Sequence, residues 1–359
     1  MRITIKKYHN PETWDELLKK YNGSVFMTSA WLHAVSSATR EPLLLSFVQN
    51  EQVVALIGGL EVKIGKGPEK QLFFYAGISS WQGEKELPGM CKNALLDYAV
   101  KNGYIRVIIK SYDFINYIPA GPGRFREFAR MEYYMDLNKD NESIIKGFDP
   151  EIRRRARKAA REGVIFKSTY SKKVLDKLFD LLTSTREIRK SKGYGSYMPL
   201  GIPFSDKGVL ESLLKKKKAR LFYAGHKNEI LGVQLFLDSI GRAYGTLMGI
   251  SKNGYLKSVP SFLLYEGTLS LKKEGYSCYN LGAIPAGKGN KGLKKFKDSL
   301  GAEIIVSKEE STDFLSPSLY YLNPLMRFKR FLHKVRIPWR VKKIFLNVAD
   351  LLLRGRDQY

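Results

Sequence analysis

The stretch best suited to chemistry runs from residue 280 to residue 303 and combines glycines with lysines. Its glycines before the end are Gly282, Gly287, Gly289 and Gly292, and its lysines are Lys288, Lys291, Lys294, Lys295 and Lys297. The pattern predicts a short strand over 278–281, a glycine-rich loop, and a basic helix over 293–300 that stops at Gly301. Backbone N–H groups beside cations suit a phosphate or a developing oxyanion. The spacing matches neither a P-loop nor a dinucleotide fingerprint, so a plain surface loop is the alternative.

A row of arginines lies in a second predicted helix. Asp149 is a candidate N-cap, Pro150 suits the first helical position, and the helix continues to Gly163. Arg153, Arg157 and Arg161 recur every four residues and therefore share one face. Like charges at this spacing repel one another, so the row predicts contact with a polyanion. The alternative is a solvated helix face.

Several common kinds of catalytic site have no sequence signature here. The four histidines have no metal-ligand neighbours at useful spacing, and two cysteines exclude both a disulfide framework and a cysteine-based zinc cluster. No Gly-x-Ser-x-Gly elbow, Walker motif or kinase signature occurs. Any reaction would rely on lysines, tyrosines, carboxylates, backbone donors and the substrate itself.

The order of predicted elements repeats itself in the two halves of the chain. Strands over 42–47, 52–62 and 72–76 precede a helix over 88–101 and a strand over 104–110. Strands over 219–224, 230–237 and 242–250 precede a helix from 258 to 275 and a strand over 276–281. Each helix ends at a Gly-Tyr pair, Gly103-Tyr104 and Gly275-Tyr276. The pattern indicates a structural duplication, with coincidence as the alternative.

The composition indicates a folded chain with polyanionic partners. A length of 359 residues favours two domains, and 44% hydrophobic residues are typical of a folded protein. The formal charge of +26 would attract tRNA, anionic lipid surfaces or phosphorylated carriers, unless it serves only to solubilise the surface. No signal peptide and no apolar run near 18 residues stand out. We therefore expect a cytoplasmic protein, with peripheral attachment to the inner face of the cell membrane as an option.

The last residues, 311–359, form a basic amphipathic tail. Leu325, Phe328, Phe331, Leu332 and Val335 are predicted to share one helical face among many cations. Pro338 interrupts the pattern, which resumes over 341–353. Such a tail suits an anionic membrane surface. The alternative is a helix packed on the N-terminal domain.

Four segments in order resemble the Fem-type peptidoglycan-bridge aminoacyltransferases and related GNAT-like acetyltransferases of polysaccharide and cell-envelope systems. The segments are VFMTSAWL at 25–32, IRRRARKAAREGV at 152–164, LLYEGTLSLKKEGYSCYNLGAI at 263–284, and GLKKFKDSLGAE at 292–303. The most specific pattern consists of Gly292, Leu293, Phe296, Lys297 and Gly301. The resemblance covers residues 1 to about 310.

The resemblance implies an α/β fold of two tandem GNAT-like domains with mixed central sheets, over 1–145 and 146–310, followed by the tail. It implies transfer of an aminoacyl group from charged tRNA to an amine of a peptidoglycan or other envelope precursor, lipid- or nucleotide-linked, with no metal and no cofactor besides the donor. Lys297 would stabilise charge on the reacting ester carbonyl. Expected substrate contacts are Asn290, Lys291, Gly292, Phe296, Trp31, Tyr197 and Tyr265, and expected polyanion contacts are Arg153, Arg157 and Arg161.

The sequence also departs from the family pattern. Val35 and Ser36 follow Trp31 where family members often carry a basic residue, and the inserted coiled-coil arm of some members is missing. An acyl-CoA-dependent N-acyltransferase is a second hypothesis, although residues 250–261 lack the Gln/Arg-x-x-Gly-x-Gly loop that holds the CoA pyrophosphate. A third is a non-catalytic basic protein that binds nucleic acid or membrane.

Overall fold

A computed structural model describes residues 3–65, 67–80, 87–113, 125–191, 200–284 and 291–334, together with 343, 345–349 and 353. The chain divides into two compact units. The first unit contains Met1–Ala129 and Lys308–Tyr359, and the second contains Arg130–Ser307.

The described residues up to 113 form six strands and three α-helices. In chain order they are β1 (Thr4–Lys7), α1 (Pro11–Lys20), a 3₁₀ turn (Val25–Met27), α2 (Ser29–Ala34), β2 (Arg40–Gln49), β3 (Gln52–Lys63), β4 (Lys70–Phe74), β5 (Ser79–Ser80), α3 (Leu87–Lys101) and β6 (Tyr104–Ile109). Side chains cap the N-termini of α1 and α2. The Asn10 side chain accepts from the N–H groups of Glu12 and Thr13, and the Thr28 hydroxyl accepts from the N–H of Trp31.

The remaining elements follow after residue 124. They are β7 (Phe125–Asp136), α4 (Asn141–Gly147), α5 (Pro150–Arg161), β8 (Ile165–Thr169), α6 (Lys172–Ser191), α7 (Lys207–Lys215), β9 (Ala219–His226), β10 (Glu229–Ser239), β11 (Arg242–Ile250), α8 (Lys252–Leu256), α9 (Val259–Lys273), β12 (Cys278–Ala283), α10 (Lys291–Asp298), β13 (Glu303–Thr312), a 3₁₀ turn (Pro317–Leu322) and α11 (Asn323–Lys334).

The first unit is built on a mixed sheet. Strands β1 to β4 are antiparallel neighbours in chain order, β5 adds to β3, and β6 pairs with β4 in parallel. A parallel partner requires a crossover, and α3 provides it. Cys91, Leu95 and Ala99 of α3 are buried against the apolar faces of these strands.

The second unit repeats this arrangement around its own core. Strands β8, β9, β10 and β11 pair antiparallel in chain order, and β12 joins β11 in parallel after the crossover helix α9. Strand β7 pairs with the other side of β12 in antiparallel fashion. Lys227 and Asn228 both have positive φ, 45° and 65°, which is the conformation of a tight β9–β10 hairpin turn.

The predicted duplication is confirmed. In each unit three antiparallel strands are followed by a crossover helix, α3 or α9, and a parallel strand, and this helix is followed by a glycine in the left-handed region, Gly103 (φ 71°) or Gly275 (φ 83°). Glycine suits this position because it has no Cβ to clash with the preceding turn. The α/β fold class with mixed sheets is therefore confirmed as well.

The units divide the chain at other points than residues 145 and 310. Residues 130–145 belong to the second unit because Tyr133, Met135 and Ile144 are buried in its core. The tail groups with the first unit, where Glu310 and Ser311 pair with β6 and the Leu315 N–H donates to the Ile105 carbonyl over 2.8 Å.

The predicted apolar face of the tail is split. Helix α11 buries Met326 and Leu332, whereas Phe328 and Phe331 are 44% and 57% exposed. Val335 lies outside the described residues. Phe328 and Phe331 lie roughly opposite Met326 around the axis, but Leu332 lies about 40° from Phe328, so the angular position alone does not account for the split. Among the described parts of the chain, no helix is both long and apolar enough to cross a bilayer.

Candidate functional site

Strand β12 ends in a distortion that turns its carbonyl groups toward α10. Its register with β7 shifts between Asn280 and Gly282, which marks a β-bulge. Gly282 has φ 74°, and a Cβ there would lie 3.2 Å from the Gly245 carbonyl oxygen. The Gly282 N–H donates to the Asn280 side chain over 2.8 Å. Glycine at 282 thus permits the bulge, and Asn280 stabilises it.

Helix α10 is held at its C-terminal end by a close backbone contact. Gly301 has φ 71°, and a Cβ there would lie only 2.3 Å from the Gly147 carbonyl oxygen. The Asp149 N–H donates to the Ser299 carbonyl over 2.9 Å. Since these contacts join the end of α10 to the α4–α5 connection, they fix the direction in which α10 presents its side chains.

Lys297 is the side chain that α10 presents to the end of β12. Its ammonium group donates to the carbonyl oxygens of Leu281 (2.7 Å), Gly282 (2.9 Å) and Ala283 (3.1 Å). The residue is 8% exposed, and its nitrogen lies 5.5 Å from the centre of the Tyr133 ring. A lysine has three N–H donors, and here each has an acceptor.

Burial lowers the pKa of Lys297 to about 8, the Arg130 charge acts in the same direction, and the Glu132 charge raises the pKa. At pH 7 an amine of this pKa is roughly nine-tenths protonated. The site therefore holds a buried cation that can exchange its proton close to neutral pH. Such a group can stabilise an oxyanion or transfer a proton.

We expect the pH dependence of stability to report this buried lysine. The folded-state pKa of about 8 lies below the ordinary value of 10.5, so the unfolded chain binds more protons between these two pH values. The contribution of Lys297 to the unfolding free energy should rise by about 3 kcal/mol from pH 8 to pH 10.5. Urea denaturation of wild type and Lys297→Met at both pH values measures it. An equal pH dependence of the two proteins would show that Lys297 titrates normally.

Glu132 on β7 links Lys297 to the rest of the site, and the sequence analysis missed it. This carboxylate is 4% exposed and accepts hydrogen bonds from Arg130 (2.9 Å), Tyr244 (2.8 Å) and Asn280 (2.9 Å). It thereby fixes Asn280, which in turn holds the bulge. Glu132 and Asn280 are 148 positions apart. No local pattern could have paired them, and the available signal was an acid within an otherwise apolar half-strand.

We expect Glu132→Gln to lower the pKa of Lys297 further, because it removes the negative charge that favours the ammonium form. Nitrogen-15 NMR of the lysine side-chain amines would follow this titration directly. The matched control is Glu303→Gln, which removes an exposed carboxylate paired with Lys139 in the same unit. An unchanged Lys297 titration in Glu132→Gln would mean that Glu132 acts on the bulge geometry alone.

The predicted substrate contacts are distributed over both units. Lys291 and Gly292 lie exposed in the first turn of α10, so Gly292 belongs to the helix and not to the predicted loop. Phe296 is half-buried and packs against the core of the second unit. Tyr265 on α9 is half-buried, with its ring 5.1 Å from that of Phe148. Asn290 and Tyr197 lie outside the described residues.

Trp31 lies in the first unit, where it is 1% exposed. Its ring packs edge-on against Phe26 (4.8 Å) and Tyr75 (5.4 Å). The indole N–H is buried without a hydrogen-bond partner among the described residues. Its part in substrate binding stays a prediction.

Helix α5 separates its cations into two groups. Asp149 caps the helix as predicted, accepting from the Glu151 N–H over 2.8 Å. Arg154 and Arg155 both pair with Glu151, at 2.7 and 2.8 Å. Lys158 pairs with Glu162 at 3.6 Å.

The predicted row of Arg153, Arg157 and Arg161 has no acidic partner within the described part of the chain. Arg153 is half-buried, and its Nε lacks a hydrogen-bond partner there. Arg157 and Arg161 are exposed. The helix thus neutralises the neighbouring cations and leaves this row available to an anion. No cluster of three or more potential metal ligands occurs in the described ranges.

Comparisons with known proteins identify solved structures with a similar fold. Neither the family models nor the curated proteins gave a match to the sequence. Among solved structures, the chain is similar to FemX, with a TM-score of 0.66 and 14% identity over 88% of this chain and 99% of FemX. It is also similar to L-PGS from Bacillus licheniformis, with a TM-score of 0.50 and 17% identity over 98% of each chain.

A third similar structure is a conserved protein of unknown function from Bacteroides thetaiotaomicron VPI-5482. Its TM-score is 0.55, with 11% identity over 86% of this chain and 99% of that one. The chain therefore shares the fold of FemX over 88% of its length.

Proposed function

We propose that this protein is an acyltransferase that moves an aminoacyl group from aminoacyl-tRNA to an amine of a peptidoglycan or other cell-envelope precursor. The observation that carries the proposal is the buried ammonium of Lys297 at the bulged end of β12, in a chain folded like FemX. The similarity to L-PGS supports the same class of donor. A fold alone does not define a reaction, so the proposal depends on the chemistry of this site.

The reaction needs one strong electrostatic contact. The acceptor amine attacks the ester carbonyl of the donor, a C–N bond forms, and the carbonyl oxygen becomes an oxyanion. As the oxyanion collapses, the C–O ester bond breaks and the amine proton passes to the departing ribose oxygen. Lys297 would stabilise the oxyanion, since a preorganised cation in a site shielded from water acts more strongly than one in bulk solvent.

One of the three carbonyl contacts of Lys297 is suited to exchange for a substrate oxygen. The bond to Ala283 is the longest, at 3.1 Å, and it is only partly buried, whereas the contacts with Leu281 and Gly282 are buried. An oxyanion that replaced the Ala283 carbonyl would keep the other two bonds intact. Lys297 would then stay oriented while the charge develops.

An acyl-CoA donor is the second candidate, and the segment after β11 argues against it. In GNAT enzymes this segment holds the CoA pyrophosphate. Here α8 fills the segment, and the Gly254 N–H is already bonded to the Ser251 hydroxyl over 3.0 Å. Pro260 removes a backbone donor from the first turn of α9. The start of α9 is therefore poor in free N–H groups for a diphosphate.

The row of Arg153, Arg157 and Arg161 allows tRNA binding to be tested. We expect Arg157→Gln with Arg161→Gln to weaken tRNA binding and to flatten its salt dependence by about two units of the log–log slope, one for each phosphate contact. The matched control is Arg154→Gln with Arg155→Gln, which removes the same charge from the same helix but from side chains that already pair with Glu151. Filter binding at two salt concentrations measures both. Equal losses of tRNA affinity in the two variants would show that Arg157 and Arg161 act only as general surface charge.

The donor itself is tested by supplying aminoacylated tRNA, acetyl-CoA or a matched control RNA, each with an amine acceptor from envelope extracts. Transfer from aminoacyl-tRNA only, together with tRNA binding that exceeds control RNA at raised salt, supports the proposal. Acyl transfer from acetyl-CoA without preference for tRNA would replace it. Equal, salt-sensitive binding of all RNAs without any transfer would favour the non-catalytic hypothesis.

A further inference from the structure

The C-terminal part of the first unit presents apolar side chains to solvent where a helix normally presents polar ones. Met326 and Leu332 are the buried apolar residues of α11, and the remaining positions of a surface helix are normally polar. Here they include Phe328 (44% exposed) and Phe331 (57% exposed). We call the exposed set the C-terminal apolar face, and it consists of Tyr320, Tyr321, Phe328, Phe331, Phe345 and Val348.

Charge distinguishes this face from a chance exposure of apolar residues. Residues 323–356 contain ten lysines and arginines against a single acid, Asp350. Arg327 pairs with Asp313 at 3.0 Å, while Lys343 is exposed. Apolar side chains that protrude among cations match the boundary between headgroups and acyl chains of an anionic bilayer. Tyr320 and Tyr321 suit the same depth because they combine a ring with a polar end.

We propose that the C-terminal apolar face docks this protein onto the surface of an anionic lipid bilayer. Helix α11 has 12 residues, too few to span a bilayer, so it would lie in the plane of the surface with Phe328 and Phe331 inserted. This inference does not depend on the proposed reaction, because the face and the Lys297 site are separate groups of residues.

Other occupants fit the face less well. A second copy of the chain would bring two strongly cationic segments together, which repulsion opposes. A single-stranded nucleic acid needs open flat rings for stacking. Phe328 and Phe345 instead pack edge to face, with ring centres 6.1 Å apart at 85°, and Val348 has no ring.

The test uses the full chain and sedimentation with two kinds of vesicle, phosphatidylcholine alone and phosphatidylcholine with phosphatidylglycerol. We expect binding to the anionic vesicles and at least tenfold weaker binding of Phe328→Ser with Phe331→Ser, since two inserted rings are removed. The matched control is Leu256→Ser, because Leu256 is a 71% exposed apolar side chain on α8 in the other unit. It should bind as wild type does.

Several outcomes would overturn the inference. These are equal binding of the double variant, equal binding to neutral vesicles, or a dimer in sedimentation equilibrium that the double variant abolishes. A loss of tRNA binding in the double variant without a change in vesicle binding would assign the face to nucleic acid. Transfer to a water-soluble amine, measured in parallel, separates this result from a failure of the proposed function, since the double variant should retain it.

Discussion

Lys297→Met should reduce turnover about 100- to 1,000-fold, because it removes the cation that stabilises the oxyanion. The affinity for tRNA should stay unchanged, because methionine retains a straight side chain of similar length. A loss of this size corresponds to about 3–4 kcal/mol of transition-state stabilisation. Single-turnover rates with saturating aminoacyl-tRNA separate this effect from substrate binding. The matched control is Lys295→Met, which removes an exposed lysine from the same helix and should change the rate little.

The contacts of Lys297 also allow a purely structural role, since its three hydrogen bonds all go to backbone carbonyls. Lys297→Ala resolves this point through rescue. Added propylamine should restore part of the turnover by supplying an ammonium group in the vacated space, and the restored rate should saturate with amine concentration. Turnover in Lys297→Met within a few-fold of wild type would assign Lys297 to holding the bulge. Restored folding without restored turnover in the alanine variant would point the same way.

The sequence predicted those parts of the fold that local chemistry determines. The cap at Asp149 and the helix-ending Gly103 and Gly275 appear as expected, because each depends on neighbours within a few residues. The duplication followed from these local elements, since three strands, a helix and a strand leave few sheet topologies open.

The environment of Lys297 could not be predicted in the same way. Five lysines between 288 and 297 look alike in the sequence, and only packing distinguishes the buried Lys297 from its exposed neighbours Lys294 and Lys295. Its pKa depends on its burial and on the charge of Glu132, which lies on β7, far from α10 in the chain. Long-range pairing of buried charges is invisible to periodicity, so the resemblance selected Lys297 but gave no account of its contacts.

The prediction of the unit boundaries and of the buried side of the tail helix met a related difficulty. Residues 130–145 follow the first repeat in sequence, yet the side chains of Tyr133 and Met135 are buried in the core of the second unit. In α11, periodicity alone grouped Leu332 with Phe328 and Phe331. Which residues of the helix are buried depends on the elements that it packs against, and the sequence of the helix alone does not specify those elements.

Arg220→Met should destabilise the second unit by about 3–5 kcal/mol, since it breaks a buried ion pair and leaves a carboxylate behind. The Arg220 side chain is 8% exposed and contacts Asp238 at 3.2 Å and Glu274 at 2.6 Å. The Asp238 side chain is only 13% exposed. Hydrogen exchange of the β9 and β10 amides in urea reports the loss for this unit itself. Arg154→Met, an exposed arginine paired with Glu151, is the control and should cost less than about 1 kcal/mol.

The pH dependence of that loss identifies its cause. Burial already raises the pKa of Asp238, although the Arg220 charge and the Tyr276 hydroxyl both act to lower it. Without Arg220 this pKa should rise further above the unfolded value, so the folded state binds the extra proton and recovers stability as the pH falls. The cost of Arg220→Met should therefore be smaller at pH 4.5 than at pH 7.5. Adding Asp238→Asn to the variant should remove most of this difference, because the buried charge is then gone. A loss that is independent of pH and of Asp238→Asn would instead trace to packing, since the guanidinium of Arg220 also lies 5.2 Å from the centre of the Phe236 ring.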